Sequence, residues 1–84
     1  MADAVPITID ARQMQPPEPM ERVLEALDLL EPGNEIHLLI YREPVPLYNV
    51  LKRNGYTHIT GRDANNTFVV RIMHAAPKNA ITHG

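Results

Sequence analysis

Residues 35–41 read EIHLLIY, a nearly continuous run of apolar side chains with the length of one β-strand. Strands covered on both faces have this composition, whereas a strand with one face in water alternates apolar and polar residues. We therefore predict that residues 35–41 form a central strand, and we interpret the neighbouring segments around it.

The segments before this strand predict an edge strand followed by an amphipathic helix. Residues 5–10 (VPITID) alternate β-branched apolar residues with a proline and polar residues, which is typical of a short edge strand. Prolines crowd the segment before Met20 and suit a loop that opens into a helix, which should begin within residues 17–19. Pro32 and Gly33 should end this helix. Spacings of three and four separate its apolar residues, which are Met20, Val23, Leu24, Leu27 and Leu30.

The segments after the central strand predict a second helix and a β-hairpin. Apolar side chains recur with helical spacing over residues 47–54, and Gly55 follows at the expected end of a helix. Residues 56–62 and 67–74 have strand composition. They are joined by DANN, residues 63–66, whose side chains tolerate turn backbone.

The order β-α-β-α-β-β predicts an α/β fold of the two-layer α+β sandwich type. A four-stranded mixed sheet should carry both helices on one face, and its first two strands should be parallel because a helix connects them. Alternation in the last strand directs Phe68, Val70 and Ile72 towards the helices. We expect a single domain over residues 1–76 and a flexible tail over residues 77–84.

Composition excludes several classes of function. The chain has 84 residues and a formal net charge of -2, which fits one small domain without general attraction to nucleic acid or anionic lipid. It contains no cysteine, so thiolate catalysis, persulfide carriage and cysteine-based metal sites are excluded. We recognise neither an apolar segment of membrane-spanning length nor a signal peptide after Met1, and we expect a cytoplasmic protein without a membrane partner.

Two segments of the first half resemble the TusA and SirA-like proteins. Residues 9–19 (IDARQMQPPEP), followed by an amphipathic helix and then residues 30–33 (LEPG), are similar to the start of that family. The family has a strand ending in Asp-Ala, a Cys-Pro-x-Pro motif opening its first helix, and a Pro-Gly turn. The resemblance implies the same β-α-β-α-β-β sandwich. Pro16 stands at the position of the sulfur-carrying cysteine, so the family's sulfur-carrier activity is predicted to be lost.

A cysteine-free branch of that fold is a closer match. It is a bacterial domain of unknown function that is also found fused to hemerythrin-like domains. This chain is similar to it at residues 10–12 (DAR), at residues 17–19 (PEP) and at residues 42–48 (REPVPLY). The resemblance extends over residues 5–73 and implies no established activity. The resemblance hints at an accessory role in sulfur or nitrogen-oxide redox metabolism.

The first candidate site is an anion site where the first helix begins. Arg12 precedes that helix and Arg42 follows the parallel neighbouring strand, so both should lie at the carboxyl edge of the sheet, where ligands tend to bind. Glu18 and Tyr48 are assigned to the same tentative site. In the alternative interpretation, Arg12 pairs with Glu18 or Glu43 and fixes the loop, while Tyr48 packs with its hydroxyl group in water.

The second candidate is the sheet face without helices. Apolar patches on small domains often mark partner or self-association surfaces. RNA binding is not expected because one basic residue does not make a basic stripe. The alternative is that the carboxyl-terminal tail covers this face. The expected members of the interaction face are Leu39, Tyr41, Val69, Arg71 and Met73.

Catalytic and metal-binding machinery is not recognisable. The chain contains no serine or cysteine and no glycine-rich phosphate loop. Its histidines lack the helical spacing of a metal site, although adjacent strands could bring His37 and His74 together. We predict no metal, no cofactor and no catalytic residue.

The sequence therefore predicts a non-catalytic binding or adaptor domain that acts through a protein partner or a small anionic ligand. Two alternatives stay open. One is an accessory protein in sulfur or nitrogen-oxide redox metabolism, and the other is a small enzyme or cofactor-binding protein that uses the edge where the first helix begins. The identity of the ligand or partner is not predicted, and a homodimer stays open.

Overall fold

The computed structural model describes residues 5–75, which form four strands and two helices in the predicted order. The residues before and after this range, and with them the predicted tail, lie outside the described part. The elements are β1 (Ile7–Asp10), α1 (Glu18–Leu27), β2 (Ile36–Ile40), α2 (Val45–Arg53), β3 (Tyr56–Arg62) and β4 (Phe68–His74).

The four strands form one mixed sheet in the order β1-β2-β4-β3. β1 and β2 are parallel, as predicted, and β4 is antiparallel to both of its neighbours. Leu38 lies at the centre of the sheet, opposite Ile9 on one side and Val70 on the other. The predicted central strand thus has a partner on each side.

The core lies between one face of the sheet and the two helices. Ile36, Leu38, Val70 and Ile72 are fully buried, and alternation along β2 and β4 places them on the same face. The helices contribute further buried apolar side chains, which are Val23, Ala26, Leu27, Leu47 and Leu51. Burial of these side chains is the main source of stability in a domain of this size.

Helix α1 ends at Leu27, before the predicted stop at Pro32 and Gly33. The amides of the next three residues each bond to a carbonyl three residues earlier, which is the tighter turn that often closes a helix. This turn buries Leu30 and directs Leu29 into solvent. The apolar pattern therefore continues past the helix itself, and periodicity overestimates its length.

Other element boundaries also differ from the sequence-based expectation. β2 is one residue shorter at each end, β4 starts one residue later, and α2 ends one residue earlier. β1 starts at Ile7 rather than at residue 5, and Val5 is exposed. α2 starts at Val45 rather than at residue 47, because a proline is tolerated in the first turn of a helix, where its missing N–H has no partner to lose. Within residues 5–75, neither helix has the length and apolar composition to cross a membrane.

The sheet face opposite the helices carries an ionic cluster, formed by Glu35, His37 and Arg71. The Arg71 guanidinium donates to both carboxylate oxygens of Glu35, from Nε at 3.0 Å and from Nη2 at 2.9 Å. His37 Nε2 lies 2.8 Å from Oε1 of the same carboxylate. These contacts lower the pKa of Glu35 to about 2, with Arg71 as the larger cause and His37 as the second.

The buried helix face should dominate stability. Leu51→Ala removes a fully buried side chain and should lower the free energy of unfolding by about 2–5 kcal/mol. Leu29→Ala is the matched control, since Leu29 is 72% exposed, and should change it by less than about 0.5 kcal/mol. Urea denaturation of both variants measures the difference, and equal losses would contradict the assignment of the core.

The ionic cluster should make stability depend on pH in acid. A carboxyl group with a lowered pKa stabilises the fold above its usual pKa, and this contribution is lost as pH falls towards the folded-state value. For Glu35 the range in which this pKa shift acts runs from pH 4.5 down to about 2, and for Asp10 it runs from pH 3.8 down to about 2. The free energy of unfolding should therefore fall less steeply with decreasing pH in Arg71→Gln than in His37→Gln.

Urea midpoints measured at several pH values across this range test whether Arg71 lowers the pKa of Glu35 more than His37 does. Arg53→Gln removes the same charge from an exposed position on α2 and should leave the slope unchanged. A slope as steep in Arg71→Gln as in the wild type would show that Arg71 does not hold the carboxylate of Glu35.

Candidate functional site

A cavity of about 570 Å³ opens at the end of the sheet where β1 and β2 finish. It lies between the connection that leads from β1 to α1 and the connection that leads from β2 to α2, and we call it the carboxyl-edge groove. Its volume is within the range of small-molecule sites in proteins. The side chains that matter for its chemistry are Arg12, Met14, Met20, Arg42, Glu43 and Leu47.

The groove follows from the parallel pairing of β1 and β2. The amide of Ala11 donates to the carbonyl of Leu39 at 2.8 Å, so the pairing continues one residue past β1. Beyond that bond, the segments that follow β1 and β2 separate towards different helices. Both of these connections are rich in proline. Proline has a fixed φ and no N–H, so these segments do not pair with each other, and the space between them stays open.

Arg12 lines the groove but is bound to Asp10. Its Nε donates to Oδ1 at 2.8 Å and its Nη2 donates to Oδ2 at 2.8 Å, a bidentate ion pair between residues two apart. The Arg12 amide also donates to Oδ1. These bonds lower the pKa of Asp10 to about 2. The alternative interpretation that Arg12 pairs with Glu18 or Glu43 is therefore wrong. Arg12 does form an ion pair that fixes the loop, but its partner is Asp10.

Arg42 also lines the groove, but it has no counterpart of the Asp10 carboxylate that binds Arg12 among the described residues. The side chain is exposed, and among residues 5–75 it takes part in no ion pair. Its neighbour Glu43 lies on the same rim. Of the two arginines in the groove, Arg42 is thus the one that is not paired with a carboxylate among residues 5–75.

Tyr48 lies outside the groove lining, behind Glu43. Its hydroxyl donates to Oε2 of Glu43 at 3.1 Å and lies 2.7 Å from the hydroxyl of Thr60. Its ring is stacked on His58 with centroids 3.8 Å apart. Burial raises the pKa of Tyr48 above its ordinary value. Tyr48 therefore holds the carboxylate of Glu43 in position from the β3 side.

Glu18 does not line the groove either. It lies in the first turn of α1 and accepts a hydrogen bond from Arg22 at 3.3 Å. Glu21 is the second acidic residue of that turn, and together they complement the positive end of the helix dipole. The structure therefore brings Arg12 and Arg42 of the predicted anion site to one groove and leaves Glu18 and Tyr48 at its periphery.

The expected interaction face lies on the side of the sheet without helices. Leu39 and Val69 are neighbours on adjacent strands, Met73 lies further along β4, and all three are half-buried. Tyr41 is 55% exposed and lines the carboxyl-edge groove. Arg71, the fifth expected member, is held by the ionic cluster described above. The prediction missed the two other members of that cluster, although the alternation that selected Leu39 also reaches residues 35 and 37.

The histidines of the described residues do not come together. His37 belongs to the ionic cluster, whereas His74 lies on the helix face, where its Nε2 is 2.8 Å from the carbonyl oxygen of Leu30. His58 stacks on Tyr48. Within residues 5–75, no group of three or more His, Asp or Glu side chains is placed to hold a metal ion.

The site prediction missed Asp10, which binds Arg12, and the groove residues Met14 and Met20. The role of Asp10 could have been predicted from the sequence. An aspartate two residues before an arginine at the end of a strand can accept hydrogen bonds from the amide and from the side chain of that arginine. Met14 and Met20 gave no comparable signal, since a methionine in a loop or a first helical turn reads as ordinary packing.

Comparison with known proteins places the chain in a structural family. The crystal structure of a SirA-like protein from Desulfitobacterium hafniense is similar to it, with a TM-score of 0.73 and 27% sequence identity, over 83% of this chain and 99% of that chain. This likeness confirms the TusA and SirA-like fold that the sequence motifs implied. No curated protein matches the chain.

The family itself is shown by a match that spans most of the sequence. The model of a family described as an uncharacterized conserved protein, DUF2249, matches residues 8–74. That range contains every strand and helix except the first residue of β1. The chain therefore belongs to the DUF2249 family, and it has the SirA-like fold.

Proposed function

We propose that this protein is a non-catalytic binding domain that holds a small anionic ligand in the carboxyl-edge groove, with Arg42 binding the anionic group. The observation that carries the proposal is that Arg42 is exposed, lines a largely apolar groove and forms no ion pair among residues 5–75. Ligand sites commonly combine an apolar lining with a few polar groups that fix orientation. An arginine can bind a carboxylate or phosphate through two parallel hydrogen bonds.

Binding is a better explanation than catalysis for the groups at the groove. Its ionisable side chains are Arg12, Tyr41, Arg42 and Glu43. Arg12 is held by Asp10, and the carboxylate of Glu43 is held by the Tyr48 hydroxyl. Covalent catalysis needs a nucleophile with an adjacent base, and the two commonest nucleophiles of such pairs, serine and cysteine, do not occur in the sequence. The sulfur-carrier chemistry implied by the SirA-like fold would also need the thiol that Pro16 replaces.

The open face of the sheet gives weaker support to a binding function. Its apolar residues are partly buried, and the cluster of Glu35, His37 and Arg71 occupies the end of the face near the start of β2. A partner docking there would have to desolvate an ion pair whose hydrogen bonds are already satisfied. The carboxyl-edge groove combines open space with a charge that has no bound partner, so we assign the function to it.

Titration with octanoate tests the proposal, since this probe carries one carboxylate on an apolar chain. Saturable amide shifts should cluster in residues 11–16 and 40–47 in two-dimensional NMR spectra. Arg42→Ala should weaken octanoate binding about tenfold or more, because a charge-assisted pair is lost. Arg53→Ala removes the same charge at the far end of α2 and should leave the affinity unchanged.

Two results would contradict the proposal. One is a spectrum in which octanoate causes no saturable shift in the two groove segments. The other is an equal loss of affinity in Arg42→Ala and Arg53→Ala, which would show that octanoate responds to the overall charge of the protein rather than to the groove.

A further inference from the structure

We infer that the carboxyl-edge groove selects ligands with a single negative charge on an apolar body, that is, monocarboxylic acids, over phosphate monoesters and other dianions. The inference rests on the proposed function and adds the chemical class of the ligand. It depends on three features of the groove, which are the pairing of its cations, the position of its carboxylate and the composition of its lining.

The first feature is that, among residues 5–75, one of the two groove cations is not paired with a carboxylate. The bidentate bonds between Arg12 and Asp10 make that pair electrically neutral. The carboxylate of Asp10 stays ionised down to acid pH because its pKa is about 2. Arg42 then remains as the group that can balance a ligand charge, and one guanidinium balances one negative charge.

The second feature is a carboxylate on the residue next to this cation. Glu43 follows Arg42 in the chain, and both line the groove. The Glu43 carboxylate accepts a hydrogen bond from the hydroxyl of Tyr48, which lies 2.7 Å from the hydroxyl of Thr60. A second negative charge on a ligand bound at Arg42 would meet this like charge, and like charges at short distance repel.

The third feature is the lining away from the rim. Met14, Met20, Ile40 and Leu47 form it together with several prolines. A sugar or a nucleoside would lose hydrogen bonds to water in such surroundings, whereas a hydrocarbon chain or ring would bury apolar surface. Methionine side chains are flexible and adapt to different apolar shapes. The ligand body is accordingly hydrocarbon-like.

The experiment compares three probes that share one eight-carbon chain and differ in charge. Octanoate, octyl phosphate and 1-octanol are titrated below their aggregation limits at about pH 8, where a phosphate monoester, with a second pKa of about 6, carries two charges. Octanoate should bind the groove about tenfold tighter than 1-octanol. Octyl phosphate should bind no tighter than octanoate.

The variant Glu43→Gln tests the cause of the selectivity. It keeps an oxygen that can accept from the Tyr48 hydroxyl and removes the rim charge. Octyl phosphate should gain affinity relative to octanoate in this variant. Glu31→Gln makes the same change in the exposed loop before β2 and should leave the ratio of the two affinities unchanged.

The outcomes separate the inference from the proposed function. If octanoate shifts the groove amides but octyl phosphate binds tighter to the wild type, the single-charge inference is overturned and the proposed function stands. An unchanged ratio in Glu43→Gln also overturns it. If none of the three probes shifts the groove amides, the proposed function is overturned, and the inference with it.

Discussion

Ile9 lies beside Leu38 in the parallel pairing of β1 with β2, and this pairing determines where the rest of the molecule can place a site. Because the strands are parallel, their carboxyl ends meet at one edge of the sheet. The bond from the Ala11 amide to the Leu39 carbonyl extends the pairing to the last residue before the two connections separate. Each connection then enters a helix through prolines, and the groove is the space left between them.

Electrostatics makes the two sides of that groove unequal. On the β1 side, Arg12 is neutralised by Asp10, a partner only two residues away. On the β2 side, Arg42 keeps its charge exposed next to Glu43, which Tyr48 holds in place. A pair of arginines that appears symmetrical in the sequence is therefore one structural ion pair and one available cation. This inequality is the basis for assigning a single-charge ligand.

Much of the fold was predictable because its signals are local and repeated. The apolar run around Leu38, the helical spacing after Met20 and the turn chemistry of residues 63–66 each specify an element, and a helix between two strands favours parallel pairing. The end of α1 was not predictable from periodicity, since Leu30 is buried by a turn that follows the helix. The partner of Arg12 was missed for a different reason. Asp10 and Glu18 are close to Arg12 in sequence and Glu43 follows the neighbouring parallel strand, so side-chain geometry selects among the three.

In the function that we propose, the carboxyl-edge groove, rather than the open sheet face, receives the ligand. Intermolecular nuclear Overhauser effects from bound octanoate to methyl-labelled protein test it directly. The claim predicts contacts from the octanoate chain to the methyl groups of Met14, Met20 and Leu47, which line the groove. Contacts to Leu39 and Val69, on the opposite side of the sheet from the helices, would contradict it.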